Sequence, residues 1–208
     1  MRYVKGQKIN TRNRIVEAAS LALREKGADG MSVIELMKLA GLTHGGFYSH
    51  FESRDALVIE AFALAMDRTV ASWLQLAEAK PVDEQFETIA ESYLSQHHRD
   101  NPAQGCALPV LGADIARSGP KARRIFTTKL EEMIDALTRL LPSEPTRGAR
   151  QKTIGALATM VGSVVLARAA DDNVLSDDIL EAGRHALRNQ ALVRTKNVLR
   201  RKGSAGHD

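Results

Sequence analysis

Apolar residues recur at intervals of three and four along most of the chain, and alternation with a period of two is rare. This spacing places apolar side chains on one face of a helix, so it predicts an all-α fold. Thr11 can cap a first helix that ends near Lys26, just before Gly27. Ser32 can begin a second, shorter helix that ends at Gly41.

Serine residues mark two of the predicted helix starts. The four residues from Ser32 to Glu35 read SVIE, a capping box in which the serine accepts a backbone amide and the glutamate reaches back. Ser53 caps a long helix that continues to about Ala79, before Pro81. The same periodicity predicts later helices over about residues 82–98, 106–117, 120–141, 146–170 and 176–193.

The stretch LTHGGFYSHF, residues 42–51, predicts a third short helix of unusual composition. Thr43 can cap it, and Phe47 and Phe51 are four residues apart on one face. Gly45 and Gly46 lie beside them, although each glycine costs a helix interior about 1 kcal/mol relative to alanine. The pair has two interpretations: tight packing at a helix–helix turn, or a surface that must come close to another molecule.

Three short helices joined by tight turns, behind a basic segment, are typical of a helix-turn-helix DNA reader whose third helix enters the major groove. Glycines on that helix would let the main chain approach phosphates or base edges, a departure from local propensity that is expected at a functional site. The basic segment precedes Glu17, the first acidic residue, and consists of Arg2, Lys5, Lys8, Arg12 and Arg14.

The sequence TRNRIVEAASLALREKGADGMSVIELMKLAGLTHGGFYSHFESRDALV, residues 11–58, resembles the N-terminal module of TetR-type transcriptional regulators. The shared features are an alanine-rich first helix ending at Gly27, the Ser32 cap, the AGLT turn and a GGFYSHF block that leads into a long helix. The resemblance implies a DNA-binding domain with a basic N-terminal arm over residues 1–52, and a ligand-binding and dimerisation domain over residues 53–193. The basic cluster that closes the chain predicts a disordered tail over residues 194–208.

The resemblance also implies which residues contact the DNA backbone. Tyr48 stands where the family places a tyrosine that contacts phosphate, and Arg54 stands where members often carry a lysine. Thr43 and Ser32 occupy helix-start positions that face the DNA strand. Contacts of this kind give affinity and salt dependence rather than sequence choice.

Base recognition falls to the start of the third helix. His44 is the candidate for reading a base edge, whereas His50 could contact phosphate or pack against its aromatic neighbours. Gly45 and Gly46 would allow the close approach. Because one short helix specifies little sequence, we expect a homodimer on a palindromic site in double-stranded DNA.

The larger half of TetR-type proteins binds a small molecule, and the apolar stripes of residues 53–193 can line a pocket for a modest-sized, largely apolar effector. Methionine and aromatic residues at helical spacing also form ordinary core, and this half could instead bind a protein partner. The candidate ligand-binding residues are Phe62, Met66, Trp73, Phe86, Tyr93, His97, Cys106, Phe126, Met133, Met160 and Arg168.

The last two predicted helices are rich in small residues interleaved with aliphatic ones, so each has two apolar faces. Such helices can pack on their own domain and on a partner, and the family resemblance implies a four-helix seam between two copies. The candidate dimer residues are Leu157, Val161, Val165, Ile179, Gly183, Ala186 and Leu187.

Cys106 is the only cysteine and follows a turn in NPAQGCALPV. A lone cysteine among small residues is usually a buried apolar side chain. Some TetR-type proteins resemble this chain in a GC pair at that place, and some of those sense electrophiles or oxidants. A sensor thiol needs exposure and a lowered pKa, so both interpretations stay open.

Composition narrows the function class. The 208 residues are 44% hydrophobic and 26% charged, within the globular range. No apolar run approaches the roughly 18 residues that span a bilayer, and the basic start lacks a signal-like core, so we expect a cytoplasmic protein without membrane contact. We find no GxSxG, P-loop, metal-ligand set or paired carboxylates, which predicts no enzyme activity, no metal and no cofactor.

Overall fold

The structure, a computed structural model, describes residues 5–28, 30, 32–141 and 146–203, with only the backbone at residues 5, 6, 44 and 190–203. All regular elements in those ranges are helical, which confirms the all-α prediction. The α-helices are α1 Lys5–Lys26, α2 Val33–Leu39, α3 Arg54–Glu78, α4 Gln85–Tyr93, α5 Gln96–Asp100, α6 Leu108–Arg117, α7 Pro120–Arg139, α8 Arg147–Ala169 and α9 Asn173–Gly203. Two 3-10 helices, His44–Ser49 and Pro102–Gln104, complete the order.

The predicted caps of α2 and α3 are confirmed. The Ser32 hydroxyl accepts the Glu35 amide at 3.2 Å, and the Glu35 carboxylate accepts the Ser32 amide at 2.8 Å. Ser53 accepts the Ala56 amide at 3.1 Å. These bonds satisfy amides that the first turn of a helix leaves without partners.

Left-handed glycines end the first two helices, as predicted. Gly27 has φ of 78° and Gly41 has φ of 70°. Other residues adopt this conformation at a steric cost, which is why glycine commonly follows the last turn of a helix. The two turns direct the chain back so that α2 packs beside α1, and the 3-10 helix His44–Ser49 packs beside α2.

Several predicted helix bounds are wrong. Helix α1 begins at Lys5, so Thr11 lies inside it rather than at its cap. The predicted helix over residues 82–98 is two helices, because Ser95 starts α5 by accepting the His98 amide at 3.1 Å. Helix α9 starts at Asn173 and continues past Val193, its predicted end, so the backbone of residues 194–203 is helical.

Two residues of the predicted basic arm bind inside the subunit. Arg12 forms an ion pair with Glu60, and its guanidinium lies 4.6 Å from the ring centroid of Phe51. Arg14 donates a hydrogen bond to the Ala40 carbonyl at 2.7 Å. These contacts fasten α1 to α3 and to the end of α2, so this part of the arm shapes the N-terminal module from within.

A single apolar core extends from Ile15 on α1 to Leu187 on α9. Helix α3 connects its two halves, since Leu57 packs beside the N-terminal helices and Trp73 beside α4. The domain boundary at residues 52–53 stays a prediction, because the core passes through it without a break.

Helix α8 is long and apolar enough to cross a membrane by length and composition, and 39% of its most apolar window is buried. Core helices of soluble proteins pass the same test. In this fold α8 packs against α7 and α9.

Candidate DNA-binding surface and candidate ligand cavity

The third helix of the N-terminal module is a six-residue 3-10 helix, not the α-helix that the sequence predicted. Phe47 is fully buried, Phe51 is nearly so, and their stacked rings lie 5.6 Å apart between centroids. The prediction that they anchor this segment is confirmed. A 3-10 helix has three residues per turn, so Gly45 and Tyr48 fall on one line along its outer side.

The two glycines have no conformational requirement inside the subunit. Neither has a positive φ. A Cβ atom built on Gly45 meets nothing within 4 Å, and one on Gly46 meets only Met37 Cε at an ordinary 3.7 Å. Tight internal packing therefore does not explain the pair.

The residues predicted to contact phosphate differ in their exposure and in their hydrogen bonds within the subunit. Tyr48 is 70% exposed and braced edge-on against Phe47 at 5.2 Å, so its ring projects from the surface. Thr43 is exposed but its side chain does not cap the 3-10 helix, contrary to the prediction. Ser32 is also exposed, and its hydroxyl donates to Glu35 at 2.9 Å.

Arg54 and His50 are more constrained than the sequence suggested. Arg54 donates a hydrogen bond to the Ala28 carbonyl across the module. The buried Nδ1 of His50 has no hydrogen-bond partner among the described residues, and burial, followed by Lys8 and Arg12, lowers the pKa of this ring. His50 is thus a neutral, half-buried packing residue. The side chain of His44 lies outside the described residues.

A cavity of about 440 Å³ opens between α1, α3, α4, α5 and the turn that follows α5. Leu21, Trp73 and Leu76 supply apolar lining. The cavity is also lined by residues of α4, α5 and the turn that follows, namely Tyr93, His97, His98, Asn101, Gln104 and Cys106. Arg24 and Arg68 also face it, with Thr69, Ser72 and Ser92. Both size and mixed lining fit a small-molecule site.

The neutral state of His98 follows from its hydrogen bonds. Its Nδ1 lies 2.7 Å from the Tyr93 carbonyl, to which it donates, and its Nε2 accepts the Cys106 amide at 3.0 Å. One nitrogen therefore carries the proton and the other must not. Burial is the largest cause that lowers the pKa of His98, to about 4.

Cys106 lies at the bottom of the cavity and is only 2% exposed. Burial raises the pKa of its thiol despite weak interactions with Tyr93 and Thr69. Arg168 supports this region from behind, donating to the carbonyls of His98 at 2.7 Å and Arg99 at 3.0 Å.

The structure brings only some of the candidate ligand residues together. Trp73, Tyr93, His97 and Cys106 line the cavity. The remaining candidates do not line the cavity. Phe62, Met66, Met133 and Met160 are fully buried in the core, and Phe86 and Phe126 are partly buried against it. Arg168 lies behind the cavity wall.

Sequence reasoning missed Arg24 and Arg68, which resemble solvated helix charges. Arg24 is 4% exposed and lies on the same i, i+4 row as Val16 and Ser20, both buried. This row of buried residues was the signal in the sequence that Arg24 points inward. Arg68 gave none, because its side chain is 43% exposed and pairs with Glu17.

The candidate dimer residues divide between core and surface. Leu157, Gly183 and Leu187 are buried within the subunit, and Val161 and Ile179 are half-buried. Val165 and Ala186 are exposed. The exposed face of α8 also includes Gly155, Ala158 and Leu166, which the prediction did not name as interface residues.

Part of the chain matches a known protein family. Residues 15–61 match the model described as "Bacterial regulatory proteins, tetR family". The N-terminal module is that of the tetR family. The transcriptional repressor DhaR of Mycobacterium sp. (strain GP1) is 29% identical over 108 residues, covering 50% of this chain and 52% of DhaR. The transcriptional regulator EthR of Mycolicibacterium smegmatis is 27% identical over 149 residues, covering 69% and 64%.

The chain therefore matches between half and two thirds of the length of these TetR-family relatives. Solved structures share the fold. A TetR-family regulator from Cytophaga hutchinsonii superposes with a TM-score of 0.72 at 18% identity, covering 90% of this chain and 98% of that one. The reduced form of E. coli NemR gives 0.71 at 18% identity, covering 86% and 96%.

Proposed function

We propose that this protein is a sequence-specific DNA-binding transcriptional regulator, a homodimeric repressor that a small molecule releases from a palindromic operator. The observation that carries the proposal is the 3-10 helix, where Gly45 is open, Tyr48 is exposed, and no internal contact requires glycine. Such a surface suits a main chain that approaches phosphates closely, with an exposed hydroxyl beside it.

The experiment is a selection of random DNA duplexes with the purified protein at physiological salt. We expect enrichment of a palindrome, because a two-fold dimer presents two identical readers. If no palindrome is enriched, the proposal fails. The enriched site then serves as the probe for compounds that release the protein.

Dimerisation is supported by the outer face of α8. Gly155, Ala158 and Val165 lie on one side of the helix and are exposed. A Cβ atom built on Gly155 or Gly162 meets nothing within 4 Å, so the fold of the subunit does not require these glycines either. Small residues at such spacing allow two helices to approach closely.

Control by a ligand is supported by the cavity, which two parts of the protein share. Arg24 on α1 belongs to the N-terminal module, whereas Trp73 and Tyr93 belong to the larger half. A ligand that binds one dimer conformation better than another shifts the population by that difference in affinity. The cavity favours a small molecule over a protein as the effector.

A thiol sensor is the less favoured alternative. Cys106 is almost fully buried and its thiol pKa is raised, whereas a sensor requires an accessible thiolate. We expect Cys106→Ser to leave operator release unchanged in a DNA-binding assay. Loss of the response in that variant would favour the sensor.

A further inference from the structure

Arg24 is a buried cation that has no acidic partner in the described part of the chain. Its Nε donates to the Ser20 carbonyl at 3.0 Å and its Nη1 to the Gly105 carbonyl at 2.9 Å. Neither acceptor carries a charge, and Nη2 has no hydrogen bond to the described residues. Burying a guanidinium without a counter-ion is unfavourable, so this position is better satisfied when an anion is present.

The surroundings of Arg24 add positive potential. Arg68 faces the same cavity, and burial together with Arg68 lowers the pKa of Arg24. None of the described residues that line the cavity is an aspartate or glutamate. Glu17, the acid whose charge acts on Arg24, is already paired with Arg68. Because Glu17 balances Arg68, the excess positive charge of the cavity is that of Arg24.

A second observation, independent of charge, points to a ligand in this cavity. The Tyr93 side chain is 3% exposed, and its hydroxyl has no hydrogen-bond partner among the described residues. The neighbouring Cys106 thiol is at best a weak partner for it. Buried hydroxyls in proteins are nearly always satisfied, so an acceptor from outside the chain fits this donor.

We propose that the cavity binds a small organic carboxylate, with Arg24 and Arg68 binding the carboxylate and Tyr93 donating a hydrogen bond to it. This inference rests on the proposed function, because it names the chemical class of the effector. It also replaces the largely apolar effector that the sequence predicted.

The remaining lining describes the rest of the ligand. Leu21, Trp73 and Leu76 form an apolar wall, and the volume of about 440 Å³ accommodates a small molecule with little more than one ring or a short chain. A flat aromatic or short aliphatic acid meets both requirements. Inorganic phosphate meets only the charge requirement.

Binding at Arg24 gives the ligand a direct route to the DNA reader. The same side chain donates to the Gly105 carbonyl of the larger half, which ties α1 to the turn after α5. A carboxylate at Arg24 competes for this guanidinium and alters the position of α1 relative to that turn. The ligand thus acts at the junction of the two parts.

The test measures binding to the full-length protein by calorimetry. The probes are benzoate, phenylacetate and hexanoate, the matched primary amides, and inorganic phosphate. We expect the carboxylates to bind at millimolar concentrations or below and the amides at least about tenfold more weakly, because a charge-assisted hydrogen bond is lost. Phosphate should bind weakly, since it leaves the apolar wall unfilled.

Three variants locate the site. Arg68→Gln and Tyr93→Phe should each weaken carboxylate binding about tenfold, and Arg24→Gln should weaken it further. Tyr93→Phe should not lower the melting temperature of the free protein, because the hydroxyl has no partner to lose. Arg123→Gln, an exposed arginine on α7, is the matched control and should bind as the wild type does.

Three outcomes would overturn the inference: amides that bind as tightly as acids, acid binding that is unchanged in Arg68→Gln and Tyr93→Phe, or no binding by any acid at millimolar concentration. Both of those variants change side chains without leaving a buried charge, so folding does not decide the result. The selection of DNA duplexes needs no ligand, and its failure is therefore separate from failure here.

Discussion

Gly45 provides the sharpest test of the DNA-binding surface, because a Cβ atom built there meets nothing within 4 Å. Alanine or leucine there gains helical propensity of up to about 1 kcal/mol. Intrinsic stability thus favours a side chain, and its absence points to an external constraint. Gly46 is less suitable, since a larger side chain reaches the buried Met37.

We predict that Gly45→Leu weakens specific DNA binding at least about tenfold, because the side chain holds the main chain away from the duplex. Its melting temperature should equal or exceed that of the wild type. Gel shifts with the selected duplex and thermal denaturation measure the two effects. Gly46→Leu should also lose specific binding. Wild-type affinity in Gly45→Leu would leave the glycine pair without a DNA-related role.

His98 predicts a pH dependence of stability. Its pKa is lowered to about 4 by burial, against about 6.5 in an unfolded chain. The unfolded state therefore binds the proton more readily, and stability that is present above pH 6.5 is lost as the pH falls to 4. The shift corresponds to roughly 3 kcal/mol.

Denaturant unfolding of the wild type and of His98→Gln across this pH range tests the prediction. The variant keeps an acceptor for the Cys106 amide but loses the buried ring, so we expect it to be less stable than the wild type at pH 7. Because glutamine does not bind a proton in this range, the variant should lose less stability on acidification. The exposed His97→Gln is the control and should keep the wild-type slope. Parallel curves for all three proteins would show that His98 does not carry the effect.

At the scale of elements, the sequence predicted what local chemistry decides. Ser32, Ser53, Gly27 and Gly41 act through bonds to residues a few positions away, or through their own φ angles. The capping box is the clearest example, because both of its bonds lie within four residues. Such signals survive without any knowledge of tertiary contacts.

Tertiary contacts decided the features that the sequence did not predict. The α1 start at Lys5 precedes Arg12, whose partner Glu60 is 48 positions away. The break before α5 interrupts a continuous apolar stripe, and it places His98 under the Gly105 turn, where a Cβ atom would approach the ring at 2.4 Å. The cavity was not predictable from local sequence either, because Arg24 and Arg68 lie on different helices.

We predict that Ser32→Ala destabilises the protein by about 1 kcal/mol, because the Glu35 amide loses its acceptor. Denaturant unfolding measures the change. Ser49→Ala is a suitable control, since Ser49 is also exposed. Among the described residues its hydroxyl bonds only to the Gly46 carbonyl, at 2.7 Å, a loss that water can compensate. An equal loss in both variants would mean that the cap contributes nothing special to α2.

At the scale of the whole molecule, hydrogen bonds fasten the N-terminal module to the larger half. Arg24 reaches the Gly105 carbonyl, and the Ala28 amide donates to Asp114 at 3.0 Å. Together with the continuous core, they make the position of α1 depend on α5 and α6. The ligand that we propose at this junction would therefore act on the N-terminal module without a long relay.

The exposed side of α8, like the DNA-binding surface, carries glycines that no contact within the subunit requires. Gly155 and Gly162 stand in open space, and Val165 is 40% exposed on the same side. A helix that is buried on one face and apolar on the other is stabilised when a second copy covers it. In the dimer that we propose, the spacing of the two DNA-binding surfaces depends on how the two copies of α8 cross.

We predict that Val165→Glu converts the dimer to a monomer, because pairing would bury a carboxylate in an apolar seam. The subunit should stay folded, since the side chain already contacts solvent. Sedimentation equilibrium measures the assembly state. Binding to the palindrome should weaken by at least about tenfold, because one half-site is lost. Thr127→Glu, at an exposed position on α7, should remain a dimer with full affinity. A dimeric Val165→Glu with wild-type affinity would mean that the two copies meet through another face, and that the open glycines of α8 do not serve the contact.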